Sequence, residues 1–196
     1  LEKRFKMNSS PSRTQANLTI HPLPNYVTIG DLQEANPVLR TPAKILTFPL
    51  SADDYRDSQI LKAKYEEEPN CVGLAAPQIG IEKKMIIFAV EDSELIRKWR
   101  PDATQFMPKS LWINPSYEAL DEAKHVDYEA CFSVKNYAAL VPRFKKIRYE
   151  AYTLTGEKIT GTAEGFLARA IQHETDHVNG ILFIDRAPSE AIMTMD

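Results

Sequence analysis

Residues 170–180, AIQHETDHVNG, place two of the chain's four histidines four positions apart inside an apolar segment. The apolar spacing and the closing glycine predict a helix from about Glu164 to Asn179 and Gly180. At about 100° per residue, His173, Glu174 and His177 fall on the apolar face of this helix. The apolar residues of that face are Phe166, Leu167, Ala170, Ile171 and Val178. We expect the other face to point outwards, with Arg169, Gln172, Thr175, Asp176 and Asn179.

This arrangement buries a carboxylate beside two imidazoles, which is costly unless a positive charge compensates it. The pattern H-E-x-x-H brings both rings within reach of one metal ion and leaves Glu174 beside a water molecule on that ion. The alternative is a core histidine that hydrogen-bonds to a backbone carbonyl, and the motif also arises by chance. Two histidines together with a glutamate on an apolar face favour the metal.

Catalytic metal sites of this kind usually have three protein ligands and one open position. The longer zinc-peptidase pattern would need a histidine at position 183, where the chain has Phe183. Glu190, the next acidic candidate, lies in a segment that resembles a frayed tail. Cys131 is the remaining soft ligand, and a thiolate with two imidazoles suits Zn(II) or Fe(II).

The remaining pattern predicts several strands and one earlier helix. Ser51 and Asp54 resemble a capping box that opens a helix ending near Glu68. We expect strands at residues 85–90, 111–113, 145–153, 158–163 and 181–184, with the third and fourth forming a hairpin. The fold class predicted is α+β, with antiparallel sheets packed around the helix near the C-terminus.

The composition limits the possible partners. A length of 196 residues suits one domain, and a net charge of −3 gives no basic surface for nucleic acid. No apolar run approaches the roughly 20 residues that span a bilayer, so we expect a soluble protein. Two cysteines are too few for a disulfide framework, and we expect both to be reduced. Residues 1–20 are interpreted as a flexible extension or tag remnant, and residues 21–196 as a single catalytic domain.

Three motifs, taken together, resemble those of the peptide deformylase family, which are G-x-G-L-A-A-x-Q, E-G-C-L-S and Q-H-E-x-D-H. This chain has CVGLAAPQ at residues 71–78, EACFS at residues 129–133 and QHETDH at residues 172–177. Their order and spacing agree with the family, and the resemblance covers about residues 26–187. Three linked motifs are far more specific than any one of them.

The resemblance implies a metal-dependent hydrolase that removes the formyl group from newly made peptides, in the cytoplasm or an organelle and at the ribosome. It assigns Cys131, His173 and His177 to the metal and Glu174 to proton transfer. The metal would be iron in the cell, with zinc or nickel in purified protein. The side-chain amide of Gln78 and the backbone N–H of Phe132 would stabilise the oxyanion.

The family resemblance also implies the substrate contacts. Gly73 would pair with the peptide backbone, and Cys71 would lie beside the substrate. The helix residues before His173 would line an apolar pocket for the first side chain, usually methionine. Glu129 is interpreted as structural, and Arg143 is expected to pair with Asp176 from outside the site.

Three positions depart from the family pattern: Cys71 and Ala130 replace glycines, and Phe132 replaces a leucine. They are expected to change the shape of the cleft, and Ala130 would alter the loop that carries Cys131 if the glycine had a positive φ. Two alternatives remain, a metallopeptidase of related chemistry and an inactive binding protein. Loss of Glu174 or of a ligand would mark the inactive protein, and neither is lost. Gln78 as a surface amide and Cys131 as an inert buried thiol are the structural alternatives.

Overall fold

The computed structural model describes residues 22–195, so the predicted N-terminal extension lies outside the described residues. The strands in this part of the chain are Gly73–Ala75 (β1), Met85–Val90 (β2), Met107–Ala119 (β3), Lys124–Cys131 (β4), Val134–Phe144 (β5), Lys146–Tyr152 (β6), Lys158–Glu164 (β7) and Ile192–Thr194 (β8). The helices are Pro37–Arg40 (α1), Ala52–Glu67 (α2), Glu94–Trp99 (α3), Gly165–Val178 (α4) and Phe183–Arg186 (α5). Short 3-10 turns cover Ala76–Ile79 and Ser189–Ala191.

Two antiparallel sheets form the framework. The larger has the strand order β1-β2-β3-β6-β7, and the smaller has the order β4-β5-β8. Helix α4 packs against strands of both sheets, and its apolar residues Ile171 and Val178 join a core with Phe88 and Trp112 from the larger sheet. This arrangement confirms the predicted α+β class.

The predicted early helix is α2, and its first turn is capped as expected. The Ser51 hydroxyl accepts the Asp54 N–H at 3.1 Å, and the Asp54 carboxylate accepts the Ser51 N–H at 3.0 Å. The two bonds satisfy N–H groups that would otherwise lack partners at a helix start.

The predicted strands at residues 85–90, 145–153 and 158–163 are also confirmed. Strands β6 and β7 form the predicted hairpin, with Lys146 opposite Glu164 and Tyr152 opposite Lys158. The strand predicted at residues 111–113 is part of the longer β3, which continues past Asn114 through an irregularity in its pairing.

The strand predicted at residues 181–184 is wrong. After Gly180, which has a φ of 74°, the chain turns into the short helix α5. The Asp185 carboxylate accepts the Leu182 N–H at 2.7 Å and fixes this turn. A four-residue apolar run fits a buried strand and a buried turn equally well, and periodicity does not separate them.

The outward face predicted for the last helix is also wrong. Every residue of α4 except Gly165 and His173 is buried. The polar residues Arg169, Gln172, Thr175 and Asp176 are all at most 4% exposed. Arg169, Gln172 and Asp176 are buried because polar or charged groups of other elements hydrogen-bond to them, and a helical wheel contains no information on those partners. Within residues 22–195, none of the helices combines the length and apolar character needed to cross a lipid bilayer.

Candidate metal centre

Three segments distant in sequence meet beside α4. The turn that follows β1 carries Gln78, and α4 carries the two histidines. Cys131 is the last residue of β4, and Phe132 follows it in the tight turn to β5. The fold therefore brings together the three motifs that the sequence analysis connected.

The ligand atoms of Cys131, His173 and His177 all lie within 4.8 Å of one another. The Cys131 Sγ is 3.3 Å from the His177 Nε2, and the two imidazole centroids are 4.9 Å apart. A tetrahedral ion with bonds of about 2.0–2.3 Å separates its ligand atoms by roughly 3.3–3.8 Å. One thiol and two imidazoles at this spacing fit a single divalent ion of the zinc or iron type.

Glu129 holds the first histidine in place. Its carboxylate lies 2.8 Å from the His173 Nδ1, which leaves the Nε2 of this ring to face the ligand cluster. Arg143 donates to both oxygens of Glu129, at 2.9 and 3.0 Å, and Arg169 donates to one at 2.7 Å. Burial alone would raise the pKa of Glu129, but the hydrogen bonds from His173 and Arg143 outweigh it and hold this pKa well below the usual range.

The electrostatics differ between the two imidazoles. Burial opposes charge on His173, but its hydrogen bonds to Cys131 and Glu129 raise its pKa well above the usual value. The pKa of His177 is lowered well below the usual value by burial and by the neighbouring His173 and Arg143. A proton on His173 therefore opposes a second proton on His177.

A second buried group fixes the end of α4. The Asp176 carboxylate accepts from Arg143, from Arg186 at 3.0 Å and from the Tyr117 hydroxyl at 3.0 Å. The predicted pair of Arg143 and Asp176 is formed. Both side chains are only 3% exposed, so the pair lies within the protein rather than outside the site. Arg143 thus joins Glu129 and Asp176, the two carboxylates that hold α4 in position.

Gln78 lies in the site and not on the surface, because it is only 2% exposed. Its Oε1 accepts the Ala75 N–H at 2.9 Å, and this bond directs the Nε2 towards the Cys131 Sγ at 3.2 Å. Phe132 follows Cys131 at the start of the turn, and the residue is 43% exposed. Ala130 is not among the described residues with positive φ, so its side chain does not strain the loop before Cys131.

Glu174 is 5% exposed, and its Oε2 has no hydrogen-bond partner among the described residues. Burial and the nearby Glu129 raise its pKa to about 7, although His173 and Arg143 act in the opposite direction. A Cβ on Gly73 would overlap this carboxylate, lying 2.7 Å from the Glu174 Cδ. The missing side chain at position 73 therefore makes room for Glu174, a role that the sequence analysis did not assign to it.

A cleft of about 520 Å³ opens onto these groups. The residues that line it include Cys71, Gly73, Gln78, Cys131, Phe132, Phe166, Ala170, His173 and Glu174. His177 is 1% exposed and lies deeper.

The Cys71 thiol donates to the Gly73 carbonyl at 3.0 Å, and burial and the nearby Glu174 raise its pKa to about 12. Cys71 is therefore a neutral wall of the cleft.

Two arginines of the cleft wall, Arg100 and Arg169, were not among the predicted site residues. Arg169 was expected to face outwards, and Arg100 follows α3, far from the three motifs. The Arg100 guanidinium lies over the Phe166 ring, 4.1 Å from its centroid. The predicted apolar pocket thus has two cationic groups in its wall, and nothing in the local sequence around either arginine marks it as part of this cleft.

Comparison with known proteins agrees with this geometry. The family model described as "Polypeptide deformylase" matches residues 31–192. "Peptide deformylase 2" of Rickettsia conorii is 53% identical over 178 residues, which cover 89% of this chain and 88% of that protein. The human "Peptide deformylase, mitochondrial" is 36% identical over 124 residues, covering 61% of this chain and 51% of that protein.

Solved structures give the same result. A crystal structure of peptide deformylase from Acinetobacter baumannii with Met-Ala-Ser bound matches with a TM-score of 0.70 and 28% identity, covering 84% of this chain and 98% of that one. The structure of peptide deformylase from Thermotoga maritima matches with a TM-score of 0.67 and 29% identity, covering 86% and 99%.

Proposed function

Because this chain belongs to the polypeptide deformylase family, we propose that this hydrolase removes the formyl group from formyl-methionyl peptides and releases formate. The observation that carries the proposal is the convergence of one thiol and two imidazoles on a cleft that also contains a buried carboxylate. The substrate is the N-terminus of a newly made chain at the ribosome, in the cytoplasm or an organelle.

Cys131, His173 and His177 would hold one divalent ion, which is iron in the cell and zinc or nickel in purified protein. When bound, the ion supplies a Lewis acid and lowers the pKa of a water molecule towards about 7. Glu129 keeps the Nδ1 of His173 occupied, so this ring can offer only its Nε2 as a ligand.

Glu174 is the general base in this proposal. Its pKa of about 7 lets it accept a proton from water near neutral pH and pass a proton to the leaving amine. Such proton transfer contributes about two to four powers of ten in rate. Its position against Gly73 fixes the carboxylate at one edge of the cleft.

Gln78 and Phe132 stabilise the charge that develops on the formyl oxygen. The Gln78 amide is already oriented by the Ala75 N–H, so its Nε2 needs no reorganisation when the charge appears. The Phe132 N–H follows Cys131 directly in the chain and supplies the second donor. Preorganised donors of this kind each contribute about two to three powers of ten in rate.

The substrate backbone would pair with β1. Within residues 22–195 this strand is at the edge of the larger sheet and has only β2 as a neighbour, so its outer hydrogen-bonding groups can receive an extended peptide. The first side chain would then enter the cleft near Phe166 and Ala170, with Cys71 as a side wall.

The direct test is formate release from formyl-Met-Ala-Ser by protein loaded with Fe(II) without oxygen, or with Ni(II). We expect turnover by the wild type and a loss of at least about a hundredfold for Glu174→Gln with its metal retained. A metal-loaded wild type that releases no formate would refute the proposal. Cleavage of an N-acetylated peptide at an internal bond would instead support a metallopeptidase.

A further inference from the structure

The segment formed by residues 26–29 connects the two loops that carry the proposed oxyanion donors. The Val27 N–H donates to the Gln78 carbonyl at 2.8 Å. The Ile29 N–H donates to the Ser133 carbonyl at 2.8 Å, and the Ile29 carbonyl accepts the Lys135 N–H at 3.1 Å. The segment is therefore a short backbone bridge from the turn after β1 to the turn between β4 and β5.

A side-chain contact strengthens this bridge at its first residue. The rings of Tyr26 and Phe132 stack with centroids 4.9 Å apart and an interplanar angle of 18°. The Lys64 ammonium lies over the Tyr26 ring at 4.7 Å from its centroid, and Lys64 is itself 9% exposed and paired with Glu67 at 2.9 Å. The Tyr26 ring is thus held by α2 and in turn covers Phe132.

Phe132 lies in a two-residue turn, and the residue remains 43% exposed although the Tyr26 ring packs against it. A ring that projects from a turn can move unless another group packs against it, and movement of the ring moves the attached N–H. Aromatic stacking favours one relative orientation of two rings over the alternatives.

On these contacts we infer that Tyr26 is a positioning residue for the oxyanion site, acting through Phe132. The inference rests on the proposed function, in which the Phe132 N–H is a donor to the formyl oxygen. Tyr26 precedes residues 31–192, which match the family model, so the family match itself assigns it no role. By packing against the exposed Phe132 ring, Tyr26 keeps the Phe132 N–H aligned in the turn between β4 and β5.

The test compares Tyr26→Ala and Tyr26→Leu with Tyr26→Phe, which keeps the ring. Removing an oxyanion donor outright costs about two to three powers of ten, so misaligning one should lower kcat by about tenfold. We expect this loss in Tyr26→Ala and Tyr26→Leu with unchanged KM and metal content, and a kcat near that of the wild type in Tyr26→Phe. Tyr26→Leu retains apolar packing and serves if the alanine variant does not fold.

A double-mutant cycle with Phe132→Ala separates positioning from general packing. If the stack is the route, the Tyr26→Ala, Phe132→Ala double variant has the kcat of the worse single variant and not the product of both losses. The inference would be overturned by an unchanged kcat in Tyr26→Leu. It would also be overturned by a loss of metal that parallels the loss of kcat, or by losses in the two single variants that multiply in the double variant. If the wild type is active and one of these contradicting results is found, only the inference about Tyr26 fails. If the wild type releases no formate, the proposed function fails as well.

Discussion

The carboxylate of Glu174 packs directly onto the backbone of Gly73, with no room for a methyl group between them. Glu174 comes from α4 and Gly73 from the edge strand β1, so the contact joins the proposed base to the strand on which the peptide would lie. Position 73 must therefore leave the edge of β1 open for the peptide on one side and leave space for the Glu174 carboxylate on the other.

Gly73→Ala should displace the Glu174 carboxylate and lower kcat by about a hundredfold, because a general base acts only within hydrogen-bond reach of its proton. Metal content should not change, since the three atoms nearest to the new methyl group all belong to Glu174 and none to a candidate ligand. Formate-release kinetics and metal analysis measure both effects. Gly30→Ala is the matched control, because a Cβ there meets no atom of the described residues within 4 Å. Equal activity in the two variants would contradict the Glu174 assignment.

Cys131→Ala should weaken metal binding by about a hundredfold or more, since even outer partners of metal ligands cost about 10- to 100-fold when removed. Cys71→Ala should keep its metal, because the Cys71 thiol is bonded to the Gly73 carbonyl and its pKa is raised to about 12 by burial and the nearby Glu174. Competition with a chelator gives both affinities. Full occupancy in Cys131→Ala would mean that the third ligand is misassigned.

Glu129→Gln should lower the free energy of unfolding by about 3 kcal/mol, because it leaves the buried Arg143 and Arg169 without their shared carboxylate. Metal affinity should fall about 10- to 100-fold as His173 loses its charged partner. Glu118→Gln removes an exposed pair with Arg148 and should change stability by less than about 1 kcal/mol. Urea unfolding of the three proteins measures the difference. Similar losses in both variants would argue against a special role for the buried carboxylate.

The Asp54 carboxylate, in the first turn of α2, should make the free energy of unfolding depend on pH. Hydrogen bonds from Lys83 and Ser51 lower its pKa from 3.8 to about 2. A carboxyl with a lowered pKa stabilises the fold fully above its unfolded pKa, and this contribution is lost as the pH falls from about 4 to about 2. The stability difference between the wild type and Asp54→Asn should therefore be constant above about pH 5 and shrink below pH 4. Unfolding curves at several pH values test this, and a difference that does not change with pH would count against the ion pair with Lys83.

Local sequence was sufficient for the elements whose signals lie within a few residues. The capping pair of Ser51 and Asp54, the apolar run of β2 and the glycine after α4 each correspond to an observed element or boundary. The cluster of Cys131, His173 and His177 was predictable because H-E-x-x-H fixes two ligands on one helix face and linked motifs identified the third.

Features that depend on distant partners were not predictable from local pattern. Arg169 is buried because the Glu129 carboxylate and the backbone carbonyl of Val141 accept from it, and both belong to other elements. The run at residues 181–184 becomes a turn and the helix α5, with Asp185 bonded to the Leu182 N–H, and none of the strands in the described part of the chain pairs with it. Tyr26 likewise carries no local signal, since its partner Phe132 is more than a hundred residues away.

The most direct test of the metal site is X-ray absorption at the zinc edge on zinc-loaded protein. We predict one tightly bound ion per chain, with one sulfur at about 2.3 Å and two imidazole nitrogens at about 2.0–2.1 Å. The sulfur contribution should vanish in Cys131→Ala and persist in Cys71→Ala. A shell of nitrogen and oxygen alone in the wild type, or a sulfur that persists in Cys131→Ala, would contradict it.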